Sequence, residues 1–473
     1  MPMRQVTIET RLNNNCSLVL YAKDYISYYC SVFRQIWQEM TDSNYSIKFP
    51  KESDFTRYCR DKYNMLGRTL NSIITDVKGR KKSCMELKRY ELSQIEFKIE
   101  KQQEIIDNII KTLNELKPSV TQNKATKVEL SKYRTAKRNL YHAKNKLNKM
   151  NNKKNKLEYI INNNVYSICF GTKDLFSKYQ RLDQNGYKTH TKWRNNFIKN
   201  RDKNIFYLGS GNESYGNQMF QLVYNKTTDD FTAVVRKENK YSEKEKYVFA
   251  NGINFKHRKN ELVEILEDHE SKIGSKPVSY RIIRRRNKWY LQAVYSIFYD
   301  ETEYTTVAYY GTIGLDFNNG FIQLAETDDK GNLIKLQKYE LHEHDKGNSN
   351  KLKTELQQTI YNIVKYASKQ GKDLSIENLN FKRTKAKQIK AKSKKGKNYN
   401  KMTHGLEYSK YIQIVTDDCV DFKVRLHKVN PKNTSKIGKQ KYGNGKRNMN
   451  PHQAASFVIA RKAQGYIDKL VKE

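Results

Sequence analysis

In the first dozen residues Val6 and Ile8 alternate with polar neighbours, the period of a half-buried strand, until Asn13-Asn14-Asn15 ends the pattern. A helical region follows. From Leu92 the apolar positions Leu92, Ile95, Ile99, Ile106, Ile109, Leu113 and Leu116 fall three, four or seven residues apart, which places them on one stripe of a helix. After a break expected at Pro118, a second stripe runs through Leu130, Tyr133, Ala136, Leu140, Ala143, Leu147 and Met150. Two long antiparallel helices joined between Pro118 and Lys124 let each stripe cover the other.

Between about Lys203 and Ser296 the period becomes two, through Met219, Phe220, Leu222 and Tyr224, then Phe231, Ala233 and Val235, then Tyr280, Ile282, Trp289, Leu291 and Ala293. This predicts a strand-rich domain. The run from Tyr280 to Tyr290 reads as a hairpin carrying Arg281, Arg284, Arg285, Arg286 and Lys288 beside Trp289. Such a tip suits phosphate contacts and stacking on bases; the competing reading is an ordinary exposed hairpin with Trp289 in its core.

In the C-terminal third, Thr312 to Leu315 form an apolar strand that ends on Asp316, with a second strand at Phe321 to Ala325 and a third near Leu333 to Leu336. A helix-periodic run from about Lys351 to Gln370 leads into Asp373-Leu374-Ser375-Ile376-Glu377, another apolar strand that ends on a carboxylate. A lone carboxylate within a sheet is costly unless it is paired or bound to a cation. If the two strands are parallel neighbours, Asp316 and Glu377 stand together as hard oxygen ligands of the kind magnesium takes, and two such ions support in-line phosphodiester hydrolysis.

Charge narrows the partners. The 473 residues hold 90 Lys and Arg against 50 Asp and Glu, a formal charge of +40 spread over most of the length, and this points to a polyanion. No amphipathic anchor or lipidation signal accompanies the charge, the N-terminus lacks an apolar signal core, and no stretch approaches the ~18 apolar residues that span a bilayer. The expected location is therefore the cytoplasm, at the nucleoid, with no membrane partner. Lys137, Arg138, Lys144, Lys146, Lys149, Lys153, Lys154 and Lys156 on the outer face of the second long helix fit nucleic-acid contacts and a solvated face about equally. The acid-free stretch from Lys382 to Lys401, which includes Arg383, Lys394 and Lys395, reads as a basic loop that helps hold nucleic acid. Six cysteines lie far apart with no CxxC pair, so neither zinc nor a disulfide framework is expected.

Taken together these motifs resemble the TnpB family of transposon-encoded proteins and type V CRISPR effectors. Gly314-Leu315-Asp316 is similar to the first RuvC motif of that family and Ile376-Glu377-Asn378-Leu379 to the second. Val429-Asn430-Pro431-Lys432-Asn433-Thr434-Ser435 resembles the segment before the last motif, and His452-Gln453-Ala454-Ala455 begins a run like its small-residue helix. The resemblance implies a multi-domain α+β protein: residues 1–14 as the first strand of a β-barrel-like wedge domain, 15–165 as an inserted helical recognition domain, 166–308 as the rest of the wedge, and 309–473 as a RuvC or ribonuclease-H-like mixed sheet with flanking helices. It implies an RNA-guided DNA endonuclease with two Mg2+ ions, a transposon-derived non-coding guide RNA, a double-stranded DNA target and a short motif beside that target.

Two departures matter. No cysteine follows Thr434-Ser435, so the family's zinc ribbon is replaced by what reads as a short basic loop, and the family's third carboxylate is missing near Asn450-Pro451-His452. Pro451 suits the first turn of a helix, which puts His452 near its start as the candidate third active-site residue. Asp421 is the fallback if His452 is remote from Asp316. Thr434 and Ser435 are carried over as nucleic-acid contacts. The missing carboxylate also motivates an alternative, a guided DNA-binding repressor or targeting module that no longer cuts. A conventional strand-transfer transposase would share the ribonuclease-H-like core but leaves the cationic hairpin without a purpose.

Overall fold

The computed structural model describes residues 3–211, 213–243, 245–270, 276–298, 303–318, 320–343, 349–378, 408–443 and 448–470. Its helices are α1 Ser17–Met40, α2 Tyr45–Lys48, α3 Glu52–Tyr63, α4 Gly67–Thr121, α5 Lys127–Asn162, α6 Lys173–Ser177, α7 His190–Arg201, α8 Lys259–Glu270, α9 Ser349–Gln370, α10 Tyr408–Asp421, α11 Thr434–Tyr442 and α12 Pro451–Ala463. The strands are β1 Met3–Leu12, β2 Asn204–Tyr207, β3 Phe220–Asn225, β4 Asp230–Arg236, β5 Tyr247–Ile253, β6 Ser279–Arg285, β7 Lys288–Phe298, β8 Thr312–Asn318, β9 Phe321–Thr327, β10 Leu333–Glu340, β11 Asp373–Glu377 and β12 Leu426–Val429. The chain divides into two compact units, one of Met3–Ser93 and Asn152–Phe298 and the other of Met1–Pro2, Gln94–Asn151 and Tyr299–Glu473.

In the first unit β1 pairs antiparallel with β7 along its whole length, Met3 opposite Phe298 and Leu12 opposite Trp289. The sheet order is β1-β7-β6-β2, and a separate antiparallel sheet runs β3-β4-β5. One apolar core joins both sheets to α1: Val6 and Ile8 from β1, Tyr25 and Ile36 from α1, Phe220 and Phe231 from the smaller sheet, and Tyr280 and Leu291 from the larger. Alternation on β7 turns Trp289, Leu291, Ala293 and Tyr295 inward together. Among the described residues neither sheet closes on itself, which corrects the expected barrel-like wedge: alternation sets which face is buried, while closure depends on pairing between the first and last strands, and none is formed there.

The helices α4 and α5 form the predicted long hairpin, with Ile95, Ile106, Ala143 and Leu157 buried along the stripes and Gln102 Nε2 donating to the Ala143 carbonyl at 3.3 Å. The break expected at Pro118 does not occur there. Helix α4 passes through Pro118 to Thr121, and Asn123, in the left-handed region at φ 52°, turns the chain. Proline near a helix C-terminus forfeits one hydrogen bond and is tolerated there more readily than mid-helix.

The second unit is built on the sheet β10-β9-β8-β11-β12, in which β10, β9 and β8 are antiparallel and β8, β11 and β12 are parallel. One face packs Ile313, Leu315, Leu374 and Ile376 against Leu356, Ile360, Ile363 and Val364 of α9 and Tyr411, Ile414 and Val415 of α10. Helix α12 covers the other face with Ala454, Phe457 and Ala460. Burial on both faces explains why β8 and β11 read as continuous apolar runs.

That second face is flat because its residues are small. A Cβ on Gly314 would lie 2.2 Å from the Ser456 carbonyl oxygen and 2.5 Å from the Ala460 nitrogen, so glycine lets the helix backbone rest on the strand. Thr312 Oγ1 donates to the Ala460 carbonyl at 2.7 Å, and Ser375 Oγ lies 3.3 Å from that of Ile459. Gly438 of α11 makes the same kind of close approach, its Cβ position lying 2.9 Å from the Ala454 backbone.

Candidate active site

The parallel register of β8 and β11 pairs Thr312 with Asp373 and Leu315 with Ile376, so Glu377 follows at the level of Asp316. Helix α12 runs antiparallel to β8 beneath them. Eight residues of helix rise about 12 Å and four of strand about 13 Å, so a helix contacting Thr312 at Ala460 reaches Asp316 at His452. Local sequence fixes that helix start. Asn450 caps it, accepting from the His452 and Gln453 amides at 3.0 and 2.8 Å, Gln453 Oε1 closes the capping box by accepting from the Asn450 amide at 3.0 Å, and Pro451 occupies the first turn.

Asp316 Oδ2 accepts from Asn318 Nδ2 at 2.8 Å and faces His452 Nδ1 at 3.1 Å. A carboxylate only accepts, so Nδ1 carries the proton and Nε2 is the ring's remaining basic position. The Phe321 ring meets the imidazole edge-on, with centroids 5.1 Å apart. The Asp316 side chain keeps 14 % exposure and that of His452 48 %, so the pair is reachable from solvent. Asp316 Oδ1 has no hydrogen-bond partner among the described residues.

Glu377 stands in a drier place. Burial pushes its carboxyl above the usual range, the Thr434 hydroxyl opposes that shift, the neighbouring Asp316 charge adds to it, and the Lys462 charge offsets part of it. Thr434 is buried and accepts from Lys462 Nζ at 3.0 Å, and the same ammonium donates to the carbonyls of Asn430 at 2.9 Å and Lys432 at 3.1 Å. Lys462 thus ties the segment after β12 to α12 beside Glu377.

Two carboxylates and an imidazole suit a hard divalent cation as donor types, and a cation would offset the burial and, to a lesser degree, the Asp316 charge that raise Glu377. Among the described residues no group of three His, Cys, Asp or Glu side chains is close enough to hold a metal ion unaided. Magnesium fits such a site, because it commonly takes only one or two carboxylates and completes its shell with water and substrate phosphate.

Of the residues expected from sequence, Asp316, Glu377, His452 and Thr434 come together, and with His452 against Asp316 the fallback to Asp421 on α10 is not needed. Asn318, Phe321 and Lys462 were not foreseen. Asn318 carried a signal, since it lies two residues after Asp316 on the same strand face; Lys462 carried none. Ser435 is exposed on α11. The segment from Thr434 to Tyr442, expected as a basic loop, is that helix: Thr434, Ile437 and Gly438 are spaced to bury one helical face.

The hairpin between β6 and β7 divides its cations. Arg281 lies 4.0 Å over the Phe206 ring and pairs with Asp76 at 3.4 Å, and Arg285 makes a two-pronged pair with Glu9, both bonds 2.8 Å. Arg284 donates to the carbonyls of Lys199 and Asp202. Arg286 and Lys288 are exposed. Trp289, expected to stack on bases, is 2 % exposed, so the core reading of this residue holds and the stacking role is withdrawn. On α5 no acid occurs between Leu130 and Leu157, and among the described residues only Lys154 of the eight cations singled out meets a carboxylate, Glu158 at 3.6 Å. Lys382, Arg383, Lys394 and Lys395 lie outside the described residues. The six cysteines are free thiols, and no described helix is long and apolar enough to cross a membrane. Compared with known families and curated proteins, the chain matches no family model and no curated protein.

Proposed function

We propose that the chain is an RNA-guided, magnesium-dependent DNA endonuclease with a RuvC-like core. The observation that carries the reading is the juxtaposition of Asp316 and Glu377 on adjacent parallel strands, with His452 3.1 Å from Asp316 at the start of the small-residue helix. The +40 charge supplies the affinity for a polyanion, and the family resemblance supplies the guide.

Asp316 and Glu377 are the residues that would hold magnesium, which when bound supplies Lewis acidity at the scissile phosphate. Asn318 fixes the Asp316 carboxylate through Oδ2 and leaves Oδ1 for the ion. His452, with its Nδ1 proton on Asp316, presents Nε2 to accept a proton from the attacking water or to orient it. Thr434 and Lys462 oppose the rise that burial imposes on the Glu377 carboxyl. The family's third carboxylate is missing near His452, and among the described residues there is no three-ligand cluster; these favour, as the second reading, a guided binder that does not cut.

The test is to purify the protein with the nucleic acid it retains, sequence any RNA, and incubate the complex with matching duplex DNA and Mg2+. A discrete RNA that directs cutting is expected. If no discrete RNA copurifies, the guided reading fails; if RNA copurifies and the DNA stays intact, the binder reading replaces the nuclease.

A further inference from the structure

Between the last turn of α7 and the tip of the β6–β7 hairpin lies a cavity of about 420 Å3, lined among others by Asn196, Lys199, Lys203, Arg284, Arg286 and Asn287. Among the described residues no carboxylate lines it. Of its five cations, Lys199, Lys203 and Arg286 have no ion-pair partner among the described residues, Arg285 is paired with Glu9 by two bonds of 2.8 Å, and Arg284 is committed to structure: its Nη2 donates to the carbonyls of Lys199 at 3.1 Å and Asp202 at 2.7 Å. Those bonds neutralise the negative end of α7 and hold the helix against the hairpin. The adjacent acids are each held by arginines. Asp202 is bound by Arg34 at 2.5 Å and Arg201 at 2.9 Å, and Glu9 by Arg285.

The rim is also strained. Arg286 and Asn287 form the two-residue turn of the hairpin, with φ of 47° and 62°. Asparagine tolerates that region, but arginine rarely adopts it, and glycine would relieve the strain. Keeping arginine there places a guanidinium at the mouth of the cavity at a backbone cost, the kind of strain that collects at functional positions.

We propose that this cavity binds the terminal phosphate of an RNA strand. The inference rests on the nucleic-acid partner proposed above but not on cleavage. A terminal phosphomonoester carries a charge of about −1.5 to −2 with three acceptor oxygens, where an internal diester carries one charge and needs an exit for the chain on both sides. Three unpaired cations converging on one cavity match the former. The space equals about fourteen water volumes, room for one phosphate and its sugar and far too little for a duplex.

The experiment uses the full chain in EDTA and three single-stranded RNAs of one sequence, with a 5′-phosphate, a 3′-phosphate or hydroxyls at both ends, compared by fluorescence anisotropy. One phosphorylated form should bind about tenfold more tightly than the hydroxyl-ended RNA, the gain of one added charge-assisted contact, and which form does so identifies the end. In Lys199→Ala/Arg286→Ala the preference should fall to about onefold while the hydroxyl-ended RNA still binds. Equal affinities for the three RNAs with the wild-type chain, or a preference that survives in the variant, would overturn the proposal. The readout requires neither metal nor cutting, so a failed nuclease assay leaves it standing, and its own failure leaves the nuclease reading untouched.

Discussion

Replacing Gly314 by alanine tests how the site is positioned. The added Cβ would lie 2.2 Å from the Ser456 oxygen and 2.5 Å from the Ala460 nitrogen, while ordinary contact begins near 3.4 Å. Relief of the closest contact therefore needs a shift of about 1.2 Å. Both neighbours are helix backbone, so no side chain can swing aside and α12 must move as a body, disturbing the buried contacts of Ala454, Phe457 and Ala460. Overpacking of this kind costs roughly 1–3 kcal/mol, and a rigid neighbour puts Gly314→Ala at the upper end. At about 3 kcal/mol the melting temperature of a unit of this size falls by roughly 6–12 °C. The same shift carries His452 from 3.1 Å to beyond hydrogen-bonding distance of Asp316, and a displacement of about 1 Å at a reacting centre costs on the order of 100-fold in rate. The assay is thermal and urea unfolding followed by circular dichroism, with Gly79→Ala as the control. Gly79 sits within α4 with nothing inside 4 Å of its Cβ position, so there alanine should be neutral or stabilising by up to about 1 kcal/mol. If Gly314→Ala unfolds within about 0.5 kcal/mol of wild type, the account of how α12 seats His452 is wrong.

Other perturbations address single residues. Because burial and Asp316 raise the Glu377 carboxyl above its unfolded value, folding is favoured while that group is protonated, and the advantage is lost as pH rises through the folded value. Glu377→Gln should therefore raise the melting temperature in EDTA at pH 8, with the gain fading below about pH 4; a loss of stability at pH 8 would reverse the assignment of cause. His452→Ala should reduce DNA cleavage about 10- to 100-fold, as loss of a group orienting an active-site ligand does, while the melting temperature stays close to wild type because the side chain is half exposed. Undiminished cleavage would remove His452 from the site. Trp289→Ala should destabilise the first unit by roughly 3–5 kcal/mol in urea unfolding and leave the RNA affinity of the folded fraction unchanged; selective loss of RNA binding would restore the stacking role.

Local periodicity carried much of this architecture. The α5 stripe from Leu130 to Met150 is visible because burial of one face imposes a period on the sequence, and the strands that end on Asp316 and Glu377 because burial of both faces makes them continuous apolar runs. The inward Trp289 was also legible, since it shares parity with Leu291 and Ala293. What periodicity does not encode is pairing. The closure of the wedge was misjudged because whether distant strands meet is settled by tertiary contacts, and the same holds for Lys462, which reaches Thr434 and two carbonyls across 28 to 32 residues of chain. Cations were the least legible group. Arg281, Arg284 and Arg285 share a charge run with Arg286, yet the fold engages the first three in internal contacts and leaves the last at a cavity mouth.

The most direct test of the central claim is a cleavage assay on matched duplex DNA with the RNA-loaded protein, comparing wild type and Asp316→Ala at equal loading and with Mg2+ present or chelated. Cutting by wild type alone, and only with Mg2+, is the predicted result. Equal cutting by Asp316→Ala, or cutting that persists in EDTA, would contradict the assignment of Asp316 and Glu377 as the metal-dependent centre.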